Sequence, residues 1–120
     1  MRFVLLMYRD EEAWEARPEA ERVAIRQQAI DHAEGLRARG VFLGGDPLLS
    51  TGTAVTVRLA AGTPLATDGP FAETKEALGG YSIVEVPSLE EAVAIARDHP
   101  LVRVGRHSIE VRPVRELPRR

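Results

Sequence analysis

The run Gly80-Tyr81-Ser82-Ile83-Val84-Glu85-Val86-Pro87-Ser88-Leu89-Glu90-Glu91-Ala92-Val93 decides the fold, because a strand, a stop and a helix start follow one another directly. Gly80 to Val86 reads as a long strand that Pro87 ends. Ser88 with Glu91 three residues later forms a capping box, which satisfies backbone N–H groups reciprocally at a helix start. Leu89, Ala92, Val93 and Ala96 then share one face of a helix that must stop before Pro100. Ser108 to Val114 alternates Ile109 and Val111 with Glu110 and Arg112, as a last strand does. The C-terminal part of the chain is therefore a strand–helix–strand unit.

A second such unit precedes it. Residues 2–8 are apolar on both parities, which suits a central strand covered on both faces. Asp10-Glu11-Glu12 breaks that run, and Pro18, Glu19 and Glu21 open a helix whose first turn carries the proline and the acids. The helix runs to Arg39 and stops at Gly40. Ile25, Ala29, His32 and Leu36 form its inner stripe, widened by Ala33. Val41-Phe42-Leu43 is a short strand, after which Gly44-Gly45-Asp46-Pro47 must bend.

Between the units, Ala54 to Leu59 alternates like a half-buried strand, Ala61-Gly62 turns, and Pro64 to Thr67 pairs back. A loop from Asp68 to Ala77 leads into the next strand. The order β-α-β-(β)-β-α-β predicts an α+β protein of ferredoxin-like plan with an extra short hairpin strand. Both helices cover one sheet face. The other face is apolar and uncovered, which predicts a homodimer through that helix-free face.

Composition bounds the rest. With 120 residues, 44% apolar and 28% charged, the chain reads as one domain spanning 1–120. The net charge is −2. Its one basic cluster, Arg112, Arg115, Arg119 and Arg120, is interrupted by Pro113, Glu116 and Pro118, and aromatics are few. That is not the footprint of direct nucleic-acid binding. The absence of cysteine excludes disulfides, thiolate metal sites and Cys nucleophiles. The N-terminal apolar run is too short for a signal segment or a membrane span, so the expectation is a cytoplasmic protein. Three scattered histidines lack metal-ligand spacing. Gly44-Gly45 and Gly79-Gly80 lack a phosphate-loop pattern, and the second pair marks a bulge or a close backbone approach. Nothing calls for a cofactor.

The most distinctive stretch is Thr67-Asp68-Gly69-Pro70-Phe71-Ala72-Glu73-Thr74-Lys75-Glu76, followed by Leu78-Gly79-Gly80-Tyr81. It resembles the signature of DGPF-domain proteins, a branch of the YCII-like superfamily. The Gly44-Gly45 pair, the helix from Ser88 and the closing strand fall in that family's order, so the resemblance covers essentially the whole chain. It implies a dimeric α+β barrel of two ferredoxin-like subunits packed sheet to sheet. Relatives in the superfamily include a dehydrochlorinase acting on a hydroxylated aromatic ring, with a His–Asp pair as acid–base machinery. Many DGPF proteins are also linked to extracytoplasmic-function sigma factors.

Carried onto this chain, the resemblance makes Asp46 and His32 the candidates for moving a proton. The alignment puts the superfamily's helix histidine near Ala29, almost one turn before His32. Asp68, Phe71, Glu73 and Lys75 would line a pocket from a rigid loop, with Lys75 or an arginine holding an anionic oxygen. Lys75 is the single lysine in a chain with fifteen arginines. The plainer reading makes Asp68 a turn residue bonded to backbone N–H groups, and Glu73, Lys75 and Glu76 a solvated helical start. Likewise His32 fits a hydrogen-bonded core histidine, His107 a structural one, and His99 a helix C-terminal residue favoured by the dipole.

Two functions follow. One is a small-molecule binder or enzyme with cofactor-free elimination or isomerisation of a cyclic, phenolic compound, its pocket lying between the first helix and the sheet. The other is a non-catalytic module that senses a ligand or touches a sigma factor. An enclosed pocket with converging ionisable groups favours the first, and a dry core with an apolar outer patch favours the second.

Overall fold

A computed structural model describes residues 1–118; Arg119 and Arg120 of the basic tail lie outside the described residues. The strands are β1 (Arg2–Asp10), β2 (Phe42–Pro47), β3 (Val55–Ala60), β4 (Thr63–Asp68), β5 (Glu76–Glu85) and β6 (His107–Pro113). The helices are α1 (Glu11–Ala16), α2 (Glu19–Ala38), α3 (Leu89–Asp98) and α4 (Pro100–Val104). The protein is thus of mixed α+β class. No described helix is long and apolar enough to cross a membrane.

Four strands form one antiparallel sheet in the order β2-β5-β1-β6. The two strand–helix–strand units interlock: β5 lies between β1 and β2, and β1 lies between β5 and β6. Pairing fixes which side chains share a face. Phe3 opposes Val84 and Pro113, Leu5 opposes Ser82 and Val111, and Met7 opposes Gly80 and Ile109. These residues face the helices, and Phe3, Leu5 and Val84 are the most deeply buried large side chains. They pack with Leu36 from α2 and with Ala92, Ile95 and Ala96 from α3. The opposite parity, Val4, Leu6, Tyr8, Tyr81 and Ile83, forms the helix-free face.

The capping box is half realised: the Ser88 side chain accepts from the Glu91 N–H at 3.3 Å. The acidic break after β1 is more than a break. Asp10 caps a short α1 by accepting from the Ala13 N–H at 3.0 Å, and α1 buries Trp14. Gly44 to Pro47 does not bend out of the sheet; it continues β2 past an irregularity between Phe42 and Gly44. The β5 side chains there are Gly80 and Ser82, so the backbones can approach closely. A Cβ on Gly45 would collide with the Tyr81 carbonyl oxygen and lie 2.8 Å from Ser82 Cα. The bulge expected at Gly79-Gly80 is present, since Met7 pairs with Gly80 and Tyr8 with Leu78, leaving Gly79 unpaired.

The stretch read as a half-buried strand is exposed. The hairpin of β3 and β4 forms its own two-stranded sheet, and Val55, Val57 and Leu59 are 60%, 64% and 72% exposed. The alternation is real, but its apolar face covers nothing among the described residues. The extended shape agrees, with a radius of gyration of 16.3 Å against about 14 Å for a compact chain of this length.

Gly45→Ala is expected to destabilise the protein by about 1–3 kcal/mol, because the colliding atoms are backbone and cannot rotate away. Urea unfolding would register this as a lower midpoint. An unchanged midpoint would show that β2 and β5 can separate at no cost.

Candidate functional site

On the helix face the β5 side chains shrink from Val84 to Ser82 to Gly80, while α2 continues over the sheet. Side chains no longer fill the gap at that end. A cavity of about 260 Å³ opens between α2 and the sheet, walled by Met7, Arg9, Trp14, His32, His99 and His107 among others. All three histidines of the chain therefore reach one cavity, although among the described residues they do not gather with acids into a metal-binding group.

Each imidazole is held differently. The His32 ring lies 4.7 Å from the His99 ring, and its Nε2 is buried without a hydrogen-bond partner. Burial pushes His32 below the ordinary imidazole range. His99 ends α3 and begins α4, its Nδ1 accepting from the Leu101 N–H at 3.2 Å. Burial, then the neighbouring His32 and His107, depress its pKa to about 4. His99 is thus a neutral acceptor, and not the dipole-stabilised cation that its place at a helix end suggests. An Nδ1 that accepts leaves the hydrogen of the neutral ring on Nε2. His107 packs edge-on against Trp14 at 5.6 Å, and its Nδ1 lies 3.0 Å from the Gly105 carbonyl. Burial lowers its pKa too.

His32 thus lines the predicted pocket between first helix and sheet. Asp46 borders the same cavity with β2, but it opposes Tyr81, which pairs with Leu6 on the helix-free face. The Tyr81 hydroxyl donates to Asp46 Oδ2 at 3.0 Å, and that bond raises the Tyr81 pKa. The His32 ring and the Asp46 carboxylate are therefore turned to opposite sides of the sheet.

The loop residues lie elsewhere. Asp68, Phe71, Glu73 and Lys75 are all exposed and none lines the cavity. The loop is held by its backbone: the Gly69 N–H donates to Ala54 O at 2.8 Å, and Thr56 Oγ1 donates to Gly69 O at 2.8 Å. Gly69, at φ +107°, supplies the left-handed turn that Asp68-Gly69-Pro70 predicts. Lys75 borders a separate open depression with Asp10 and Arg106. Asp10, paired there with Arg106 at 3.3 Å, has a lowered pKa, first through the Ala13 N–H and, after opposing desolvation, through Lys75 and Arg106.

Sequence reasoning missed Arg9, Trp14 and the role of His99. The signal for Trp14 was present in Asp10-Glu11-Glu12, a capping acid followed by two first-turn acids.

The buried histidines make stability depend on pH with a fixed sign. Their folded-state pKa values lie below the unfolded value of 6.5. Above that value neither state is protonated and nothing changes. Below it the unfolded chain binds protons that the native chain refuses, so stability falls as pH drops toward about 4. His99 alone accounts for about 3 kcal/mol of that loss, and His32 and His107 add to it in the same direction. Unfolding midpoints measured across this window should fall with pH. His99→Asn, which can still accept from Leu101, should flatten the dependence; an unaltered slope in that variant would assign it to other groups.

The architecture matches 5-chloro-2-hydroxyhydroquinone dehydrochlorinase from Burkholderia phenoliruptrix AC1100, solved in complex with 2,5-dihydroxybenzoquinone. The TM-score is 0.61 at 17% identity, covering 96% of this chain and 94% of that one; at that identity the likeness concerns the fold. A protein of Rhizobium meliloti, described as uncharacterised, is 37% identical over 123 aligned positions, covering 95% of this chain and 92% of its own length. The family model for the YCII-related domain matches residues 1–118. The chain belongs to the YCII-related domain family.

Proposed function

We propose that the cavity under α2 binds a small cyclic, hydroxylated molecule and that His32 moves a proton on it without a cofactor. The observation that carries this reading is the cavity itself, in which ionisable side chains meet an apolar wall. A dry core would instead have favoured the interaction-module alternative. The volume, about 260 Å³, falls just under the range of about 300–1,000 Å³ typical of drug-sized ligands. A single ring suits it. The fold likeness to a dehydrochlorinase solved with a ring-shaped quinone supports the same class of ligand.

The chemistry follows from the protonation states. His32 is neutral at pH 7 because burial holds its pKa down, and its Nε2, which has no hydrogen-bond partner, accepts a hydrogen in the tautomer that carries its own on Nδ1. A neutral imidazole can take a proton from a ring carbon or a hydroxyl. It can return that proton at a second position, which is isomerisation, or hold it while a leaving group departs, which is elimination. His99 offers an Nε2–H donor to a carbonyl or phenolic oxygen. Asp46 is engaged by Tyr81, so this reading rests on His32 and does not need the aspartate.

The reading includes a second copy of the chain. Val4, Leu6 and Ile83 form an apolar strip on the helix-free face, and the exposed hairpin adds Val55, Val57 and Leu59. Two ferredoxin-like sheets packed on this face would make an α+β barrel with the cavities on its outer sides, beneath the helices.

Two experiments test this. A thermal-shift screen of monocyclic phenols, hydroxyquinones and cyclic enols should yield a ligand, since saturation at 100 Kd adds about 2.7 kcal/mol. With that ligand, His32→Gln should keep affinity within tenfold and slow turnover by about 10²-fold or more. A screen without hits, or full turnover in His32→Gln, would defeat the proposal. Sedimentation equilibrium at micromolar concentration should give twice the chain mass of 13.2 kDa, and a monomer mass would rule out the barrel.

A further inference from the structure

The charges on the cavity wall do not balance. Arg37 has a partner in Glu34, at 3.8 Å, and also lies over the Phe42 ring at 4.8 Å. Asp46 keeps its charge but is turned to the helix-free side, where Tyr81 donates to it. That leaves Arg9 and Arg26, and among the described residues neither takes part in an ion pair. Both instead sit over the Trp14 ring, at 5.5 and 5.7 Å from its centroid. Arg9 is the more enclosed, because its Nε is buried without a hydrogen-bond partner. The buried edge of this guanidinium lacks the acceptor or counter-charge that ordinarily accompanies a desolvated cationic group.

The backbone makes room for that arginine. Gly79 is the unpaired residue of the bulge opposite Met7 and Tyr8. A Cβ there would lie 3.1 Å from both Cδ and Nε of Arg9, tight enough that the arginine would have to shift by a few tenths of an ångström. Gly79, within the chain's most distinctive stretch, therefore leaves the Arg9 side chain its room on the cavity wall. All three imidazoles facing the cavity have lowered pKa values, so none adds a positive charge at pH 7. The positive charge of the site thus resides on two arginines flanking the one indole.

We infer that the ligand of this cavity is a monocyclic anion, and that Arg9, seated by Gly79, is the residue that binds its negative oxygen. This rests on the small-ring reading above and narrows it to the ionised class: phenolates of acidic phenols, hydroxyquinone anions and ring carboxylates. Arg9 presents a planar fork suited to such an oxygen, and the Trp14 face offers the ring a surface beside it. Arg9 is a binding residue in this scheme, and the proton transfer remains with His32.

Trp14 is the single tryptophan, so its fluorescence reports what enters the cavity. Benzoate and benzamide are near-isosteric rings that differ by one charge, and each can be titrated against the full-length protein. Benzoate is expected to bind at least tenfold more tightly than benzamide. The gap should narrow as ionic strength rises from roughly 10 mM to 1 M. Arg9→Met should abolish the gap and Gly79→Ala should narrow it, with benzamide affinity unchanged in both folded variants. Should Arg9→Met fail to fold, Arg9→Gln carries the same expectation. Equal affinities in the wild type, or a gap that survives loss of Arg9, would overturn the inference and leave the small-ring cavity standing. No binding of either probe would overturn both.

Discussion

The structure depends on a taper in the sheet. Along the helix-facing parity of β1 the side chains are Phe3, Leu5, Met7 and Arg9, and along β5 they are Val84, Ser82 and Gly80. At the wide end, Phe3, Leu5 and Val84 fill the layer between sheet and helices and are almost wholly buried. At the narrow end the neighbouring strands present glycines, and the backbones close in until Gly45 leaves no room for a Cβ. A layer that is packed at one end and empty at the other encloses a void, because α2 is too rigid to collapse into the gap. The cavity is thus a consequence of where the sequence places its bulk.

The charge pattern follows from the same void. Groups that line it lose water without gaining the packed neighbours of a core. Imidazoles respond by giving up their proton, and the three histidines do so. Arginine cannot; half-buried Arg9, together with the exposed Arg26, lies over the Trp14 ring. One tryptophan therefore does two things. It closes the end of the cavity from α1, and it offsets part of the cost of two cations near one another.

Much of this architecture was legible in the residues. The Ser88–Glu91 pair, the two apolar central strands and the inner stripe of α2 gave the interlocked units, because each signal is local and periodic. The Asp68-Gly69-Pro70 turn and the Gly79-Gly80 bulge were readable for the same reason. What escaped is what depends on register. Asp46 and His32 look like partners along the chain, yet one residue of strand alternation decides which face a carboxylate takes. Pairing with Tyr81 sends Asp46 to the helix-free side. His99 precedes a proline and reads as the end of α3, and only its burial and its bond to Leu101 reveal a neutral ring. Trp14 belongs to a helix of six residues, too short for periodicity to announce it.

The hairpin of β3 and β4 stands apart from the four-stranded sheet. Two strands alone are marginal in water, and here Val55, Val57 and Leu59 share a face with Ala66 and Pro64 that nothing among the described residues covers. Its base, however, is firmly placed. Glu11 accepts from the Thr51 N–H at 2.8 Å and from Thr51 Oγ1 at 2.6 Å, tying the arm to α1, the helix that carries Trp14. The arm leaves the sheet between the end of β2 and the start of β5, which is the glycine-rich end where the cavity lies. Its foundation is therefore shared with the site, through Glu11 on one side and Gly79-Gly80 on the other. The arm itself adds nothing to the cavity wall; what it shares with the site is its anchorage, through Glu11 beside the helix that buries Trp14.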